Sequence, residues 1–217
     1  MKGKTMKMLQ IFARAWLGVG VCAVLLFANE PYKSLSTPLA GENHSVIEIF
    51  SFACGACYTH HRLGTMSRTK EKLPELSYKV YPVKGIQFGE EFARLYAYAD
   101  AKDRAKGRDY TAKNSLMHKL ADAYFVALFE RRQSWGNSQS FYELGLKTLG
   151  ISQKELDKFV TSAQGKGILA EYERANAIAM EYGGTPAFAV GGKYIVLMRD
   201  IQSLDDFIGL VGRLRAK

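Results

Sequence analysis

A single Cys-x-x-Cys pair, Cys54-Gly55-Ala56-Cys57, sits at the seam between two opposite hydrophobic patterns and constrains the chain more than any other feature. Upstream of it, Val46-Ile47-Glu48-Ile49-Phe50-Ser51-Phe52 is dense in β-branched and aromatic residues and reads as a buried strand. Downstream, Cys57 to about Leu73 carries helical periodicity until Pro74 stops it, and Leu76 to Val83 returns to strand character. Strand, Cys-x-x-Cys, helix, strand is a βαβ order with two sulfurs at its first turn. A bridge across so short a loop stabilises little, so the spacing is chemical rather than structural.

The rest of the chain extends that unit. From about 88 to 163 helix follows helix: Phe92, Leu95, Tyr96 and Ala99 recur at helical spacing, as do Leu116, Leu120, Tyr124 and Leu128. Ser152 and Glu155 form a capping box after the turn at Gly150, and a further helix is expected from about Gly167 to Tyr182. Thr185 to Val190 and Lys193 to Leu197 read as two strands around Gly191-Gly192, and Ser203 caps a last helix. Residues 29–45, with Pro31, Pro38 and Gly41, suit an extended lead-in. The expected class is α/β: over 29–217, a thioredoxin fold with an inserted all-helical subdomain at about 88–163.

A chain of 217 residues, 47% hydrophobic, can bury one sizeable core plus such an insertion. Its net charge is +9, but Lys2, Lys4, Lys7 and Arg14 supply four of those positives, leaving +5 on the remainder, scattered among acids. Nucleic-acid binding is therefore not expected, because it needs cations gathered on one face. The same four cations precede an uncharged, apolar run, Ala15 to Ala28, of signal-peptide length. Residues 1–28 are read as a leader that exports the chain, either a cleaved signal peptide or a retained membrane anchor, since no clear cleavage site follows. Cys22 in that run serves as a small hydrophobe, so only Cys54 and Cys57 remain for chemistry.

A thiol attacks as thiolate, and unpaired amides at a helix N-terminus favour that form, so Cys54 should exchange. Cys57, one turn further in, should resolve the mixed disulfide formed there. His60 and His61 open a metal-binding alternative, because Cys54, Cys57 and His61 could share one helix face; three ligands nevertheless fall short of a structural zinc site. Glu48 shares strand parity with Phe50 and Phe52, so its carboxyl is either a proton relay with a raised pKa or a strand-end acid facing solvent. Pro186, directly before a strand, is a candidate cis residue.

These residues together resemble the DsbA family, periplasmic thioredoxin-fold oxidases that introduce disulfides into exported proteins. The match runs through Tyr32 to Leu35, Pro38 to Gly41, Ile47 to Phe52, Cys54 to Tyr58, Gly150-Ile151, Thr185-Pro186-Ala187 and Gly192-Lys193-Tyr194. The resemblance implies that Cys54 is the nucleophile, Cys57 the resolving cysteine and Glu48 the buried acid. It further implies that Thr185-Pro186 is a cis-proline loop facing the sulfurs, where an extended substrate segment pairs with the backbone. Reduced or unfolded exported proteins are the implied partners, with a DsbB-like membrane protein as reoxidant, and no cofactor or metal beyond the redox disulfide. Gly55-Ala56 departs from the family's Pro-His, which implies a less oxidising disulfide, and Thr185 replaces a common valine, as in isomerases and reductants. Isomerases of this fold dimerise through an extra N-terminal domain, and only about 17 residues separate the apolar run from the first core strand, so a monomer is expected.

Overall fold

Five strands form one sheet in the computed structural model, which describes residues 30–217. They are β1 (Tyr32–Ser34), β2 (Ser45–Phe50), β3 (Ser77–Pro82), β4 (Ala187–Val190) and β5 (Tyr194–Val196), in the spatial order β1-β5-β4-β2-β3. The leader expected over 1–28 lies outside the described residues. All six residues of β2 are buried, because neighbours cover both of its faces, and its sequence accordingly runs hydrophobic instead of alternating. β3 lies parallel to β2, with Ser45 opposite Ser77, and β4 lies antiparallel on the other side, with Glu48 opposite Phe188. Pro82 cannot donate to a ladder and is tolerated because β3 is an edge strand; the next amide, Val83, donates to the Phe50 carbonyl at 2.9 Å.

The single helix expected between β2 and β3 is two helices, α1 (Gly55–Leu63) and α2 (Thr65–Lys72). Gly64 between them takes φ +64°, a left-handed conformation that glycine adopts without steric penalty, and its amide closes α1 on the His60 and His61 carbonyls. The first helix also starts earlier than its periodicity suggests, directly after Cys54.

Helices α3 (Gly89–Arg104), α4 (Leu116–Phe125), α5 (Ser138–Leu149) and α6 (Gln153–Thr161) occupy the segment read as helical, and α4 runs on into a π-helical turn, Val126–Glu130. Helix α7 (Ala163–Tyr182) begins four residues before the expected Gly167, because the Ser162 hydroxyl caps it by accepting from the Gly165 amide at 3.1 Å. A side chain at 165 would stand 2.2 Å from the Phe159 carbonyl oxygen, so glycine is required where α6 meets α7. The lead-in contains β1, which pairs Tyr32 with Val196 of β5. Ser203 caps the last helix, α8 (Leu204–Leu214), as expected.

The sheet and the helices share one core. Phe50 and Phe52, either side of the bend that leads to Cys54, pack on Phe92 of α3 and Phe125 of α4, with Phe141 of α5 5.1 Å from the Phe52 ring. Burying a side chain of this size contributes roughly 2–3 kcal/mol, so these contacts fix the strand end that carries the sulfurs.

Candidate active site

The chain leaves β2 through Ser51, Phe52 and Ala53 and enters α1 with Cys54 as its N-cap, in extended conformation (φ −102°, ψ 116°). An N-cap side chain meets the free amides of the first turn, and here the Cys57 amide donates to Cys54 Sγ at 3.1 Å. The half-buried Cys54 thiol is thereby brought down from 9.0 to about 6. The first cause is the Cys57 side chain, whose thiol donates to the Cys54 sulfur; a bond from the Thr185 side chain and the Cys57 and Ala56 amides add to it, against the opposing effect of burial. Both cysteines are free, so this is the dithiol state.

Cys57 lies one turn further along and is only 1% exposed. Burial first, then its bond and proximity to the Cys54 sulfur, push its thiol far above the ordinary range, so it keeps its proton while Cys54 is a thiolate. Glu48 is 5% exposed, opposite Val80 on one side and Phe188 on the other. Burial, and secondarily the negative charge of Cys54, raise its carboxyl from 4.5 to about 8. Of the two readings of Glu48, the buried one describes its surroundings.

Gly183 and Gly184, both at positive φ, let the chain turn out of α7, and the Thr185–Pro186 peptide that follows is cis. The Thr185 carbonyl oxygen is 3.2 Å from Cys54 Sγ and accepts from the thiol when it is protonated. Beside this contact opens a groove of about 570 Å³, walled by Val83, Gly85 and Ile86 on one side and Asn176, Ala179 and Met180 of α7 on the other. The Asn176 side-chain oxygen accepts from the Lys84 amide at 3.0 Å and holds the two walls in register. Met180 is 82% exposed at the rim, an apolar side chain left uncovered by the described residues.

His61 does not join the sulfurs as a ligand. Its Nδ1 is 2.6 Å from the Tyr110 hydroxyl and its Nε2 is 3.1 Å from Asp122 Oδ1, while its ring stacks on His118 at 4.3 Å. Among the described residues, no three His, Cys, Asp or Glu side chains converge as a cation site, which counts against the metal reading of Cys54, Cys57 and His61. Tyr110, His118 and Asp122, and the groove residues Ile86, Asn176 and Met180, had no sequence signal. They come from helices and loops whose faces meet the site only after folding.

Residues 45–209 match the family model described as DSBA-like thioredoxin domain. The thiol:disulfide interchange protein DsbL of Lelliottia amnigena is 28% identical over 192 residues, 86% of this chain and 85% of its own. The interchange protein DsbA of Salmonella typhimurium is 28% identical over 199 residues, covering 88% and 87%. The crystal structure of DsbL from Salmonella enterica serovar Typhimurium superposes with a TM-score of 0.80 at 25% identity, covering 87% of this chain and 96% of that one. With the strand, both sulfurs and the cis-proline turn all inside the matched segment, this chain belongs to the DSBA-like thioredoxin family and is a thiol:disulfide interchange oxidoreductase.

Proposed function

We propose that the protein works in the periplasm, where it donates a Cys54–Cys57 disulfide to exported proteins as they fold. Residues 1–28 direct its export, and among the described residues no helix is long and apolar enough to cross a membrane. The observation that carries this reading is the asymmetry of the two sulfurs. Cys54 is partly exposed with its thiol near 6, whereas Cys57 is buried and holds its proton.

In the oxidised protein a substrate thiolate attacks Cys54 Sγ and forms a mixed disulfide. The Cys54–Cys57 bond breaks, and Cys57 departs with the electron pair and takes a proton from Glu48. A second substrate thiolate then attacks the substrate sulfur of the mixed disulfide, releasing Cys54 as a thiolate. The released thiolate is the stabilised species, which favours donation. Extended, apolar segments of an unfolded chain suit the groove, with the Thr185 backbone available for strand-like pairing. A DsbB-like membrane partner restores the disulfide.

A stopped reaction tests this: pre-oxidised protein is mixed with a reduced, unfolded cysteine-containing substrate, and disulfides in the substrate are counted over time. Transfer is expected, with complete loss in Cys54→Ser. If the reduced protein instead cleaves substrate disulfides and the oxidised form transfers none, the reductant or isomerase reading, supported by Thr185 and the Gly55-Ala56 dipeptide, replaces this one.

A further inference from the structure

A line of polar groups crosses the otherwise aromatic region behind the sulfurs. Tyr110, His61 and Asp122 are hydrogen-bonded in a row that ends at Asp122, 43% exposed, and Glu48 and Cys57 act electrostatically on Tyr110 at its inner end. His61 lies four residues after Cys57 on α1, hence on the same helix face, and both are buried. Its two nitrogens are bonded to Tyr110 and Asp122, at 2.6 and 3.1 Å. An ionised Asp122 only accepts, so Nε2 must carry the hydrogen; Nδ1 is then bare and accepts from the Tyr110 hydroxyl.

That tautomer gives the line a direction. Every hydrogen in it points outward, from Tyr110 to His61 and from His61 to Asp122. The Tyr110 hydroxyl oxygen keeps a lone pair for a donor on its inner side. Tyr110 is fully buried and stands within electrostatic reach of Glu48, Asp122 and Cys57, which hold its own proton on after burial has already done so. Nearby, the buried Tyr96 hydroxyl has no hydrogen-bond partner, and Tyr110 and Glu48 are among the groups acting on it. Glu48 thus acts electrostatically on both buried hydroxyls, Tyr96 and Tyr110.

We infer that Tyr110, His61 and Asp122 form the exit path for the proton that Cys57 loses when the disulfide is remade, an inference that rests on Glu48 being the acid that serves Cys57. During reoxidation, Cys54 first forms a mixed disulfide with the oxidant and its negative charge disappears. That charge is, after burial, the second cause of the raised Glu48 carboxyl, so its loss makes the Glu48 proton easier to release. The proton reaches the Tyr110 oxygen as Tyr110 passes its own to His61 Nδ1, and His61 gives its Nε2 proton to Asp122 and solvent. Glu48, now a carboxylate, takes the proton of the Cys57 thiol; Cys57 Sγ attacks Cys54 Sγ, and the oxidant sulfur leaves with the electron pair. Burial keeps His61 neutral at pH 7, which a relay needs, with the Asp122 bond acting the other way and Arg62 alongside burial. His118, stacked on it, is held down to about 4 by burial and then by His61, so it brings no competing charge.

The experiment follows closure of a preformed mixed disulfide between Cys54 and glutathione, read as glutathione released, from pH 6 to 8. Tyr110→Phe, which keeps the ring packing, and His61→Ala are expected to close about tenfold more slowly than wild type. The Cys54 thiolate titration of both reduced variants is expected to stay near 6. Added imidazole should restore His61→Ala and leave Glu48→Gln, itself slow, unchanged. Wild-type closure rates in Tyr110→Phe and His61→Ala beside a slow Glu48→Gln would overturn the path and leave the role of Glu48 standing. A slow His61→Ala that imidazole does not restore reduces His61 to a packing residue and also overturns it. Wild-type closure in Glu48→Gln removes the reading underneath.

Discussion

The backbone amide of Cys57 donates to the sulfur of Cys54 at 3.1 Å, so the resolving residue is also part of what holds the attacking residue as a thiolate. Its thiol adds a second donor, and this side-chain bond is the largest influence bringing Cys54 down to about 6. The bond serves only while Cys57 is a thiol. Once Cys57 has attacked, both sulfurs are in the disulfide and neither is charged, so the stabilisation belongs to the reduced state alone. A stabiliser confined to the reduced state makes the disulfide a better oxidant.

Thr185 adds to that stabilisation through its side chain, and valine at this position would keep the shape without the donor. Thr185→Val is expected to bring the Cys54 thiol from about 6 toward 7 and to shift the equilibrium with glutathione up to tenfold toward the protein disulfide. Thiolate absorbance against pH, with the glutathione equilibrium measured on the same samples, checks both. An unchanged titration would mean that the hydroxyl contributes nothing.

Glu48 has a cost in stability that its surroundings fix. An acid raised from 4.5 to about 8 in the folded chain keeps a proton that the unfolded chain releases, so stability falls as pH climbs between those values. Cys54 in the reduced protein works oppositely, adding stability as pH rises from about 6 toward 9.0, and it is common to wild type and variant. Glu48→Gln is therefore expected to match wild type near pH 4 and to be more stable by up to about 4 kcal/mol at pH 7.5. Denaturant unfolding at the two pH values decides it, and a variant weaker than wild type at pH 7.5 would show that the carboxylate has a partner in the fold.

Much of this site could be read from the residues because its signals are local. Phe50, Phe52 and Glu48 share a parity in the sequence, Cys54 follows shortly after that strand as the cap of α1, and Ser152 and Ser203 each stand directly before the helix they cap. What escaped depends on meetings across the chain. His61 carried a signal, its four-residue spacing from Cys57, but its partners are 49 and 61 residues away and convert an apparent ligand into a hydrogen-bonded relay. Gly64 breaks α1 from α2 through one dihedral angle that periodicity does not encode. Met180 and Ile86 form opposite walls of the groove, and neither sequence neighbourhood shows that an apolar side chain there will be left uncovered.

Those two residues make the groove testable apart from the sulfurs. Met180→Glu places a charge at the rim of an apolar channel without touching Cys54, and an unfolded substrate must then bury or avoid it. KM for a reduced, apolar peptide is expected to rise about three- to tenfold, with kcat and the Cys54 titration little changed. Steady-state kinetics with an apolar and a polar peptide of equal thiol content check the assignment. Equal effects on both peptides would detach the groove from substrate choice.

The dipeptide between the cysteines sets how far the thiolate can still be stabilised. Gly55 has room, since a side chain there would first meet the Phe129 ring at 3.8 Å, and Ala56 is exposed in the first turn of α1. Neither offers a charge or a side-chain donor to Cys54, whose stabilisation rests on Cys57, Thr185 and the backbone. An imidazolium at position 56 would add a positive charge close to the sulfur, at the helix end where amides already face it. Ala56→His is expected to take the Cys54 thiol clearly below 6 and to move the glutathione equilibrium about tenfold toward the reduced protein, while leaving Cys57 unreactive to iodoacetamide at neutral pH. The effect should fade above pH 7 as the imidazole loses its proton, which separates a charge from a change in packing. A glutathione equilibrium that does not move would mean that the Cys57 donors already saturate the sulfur.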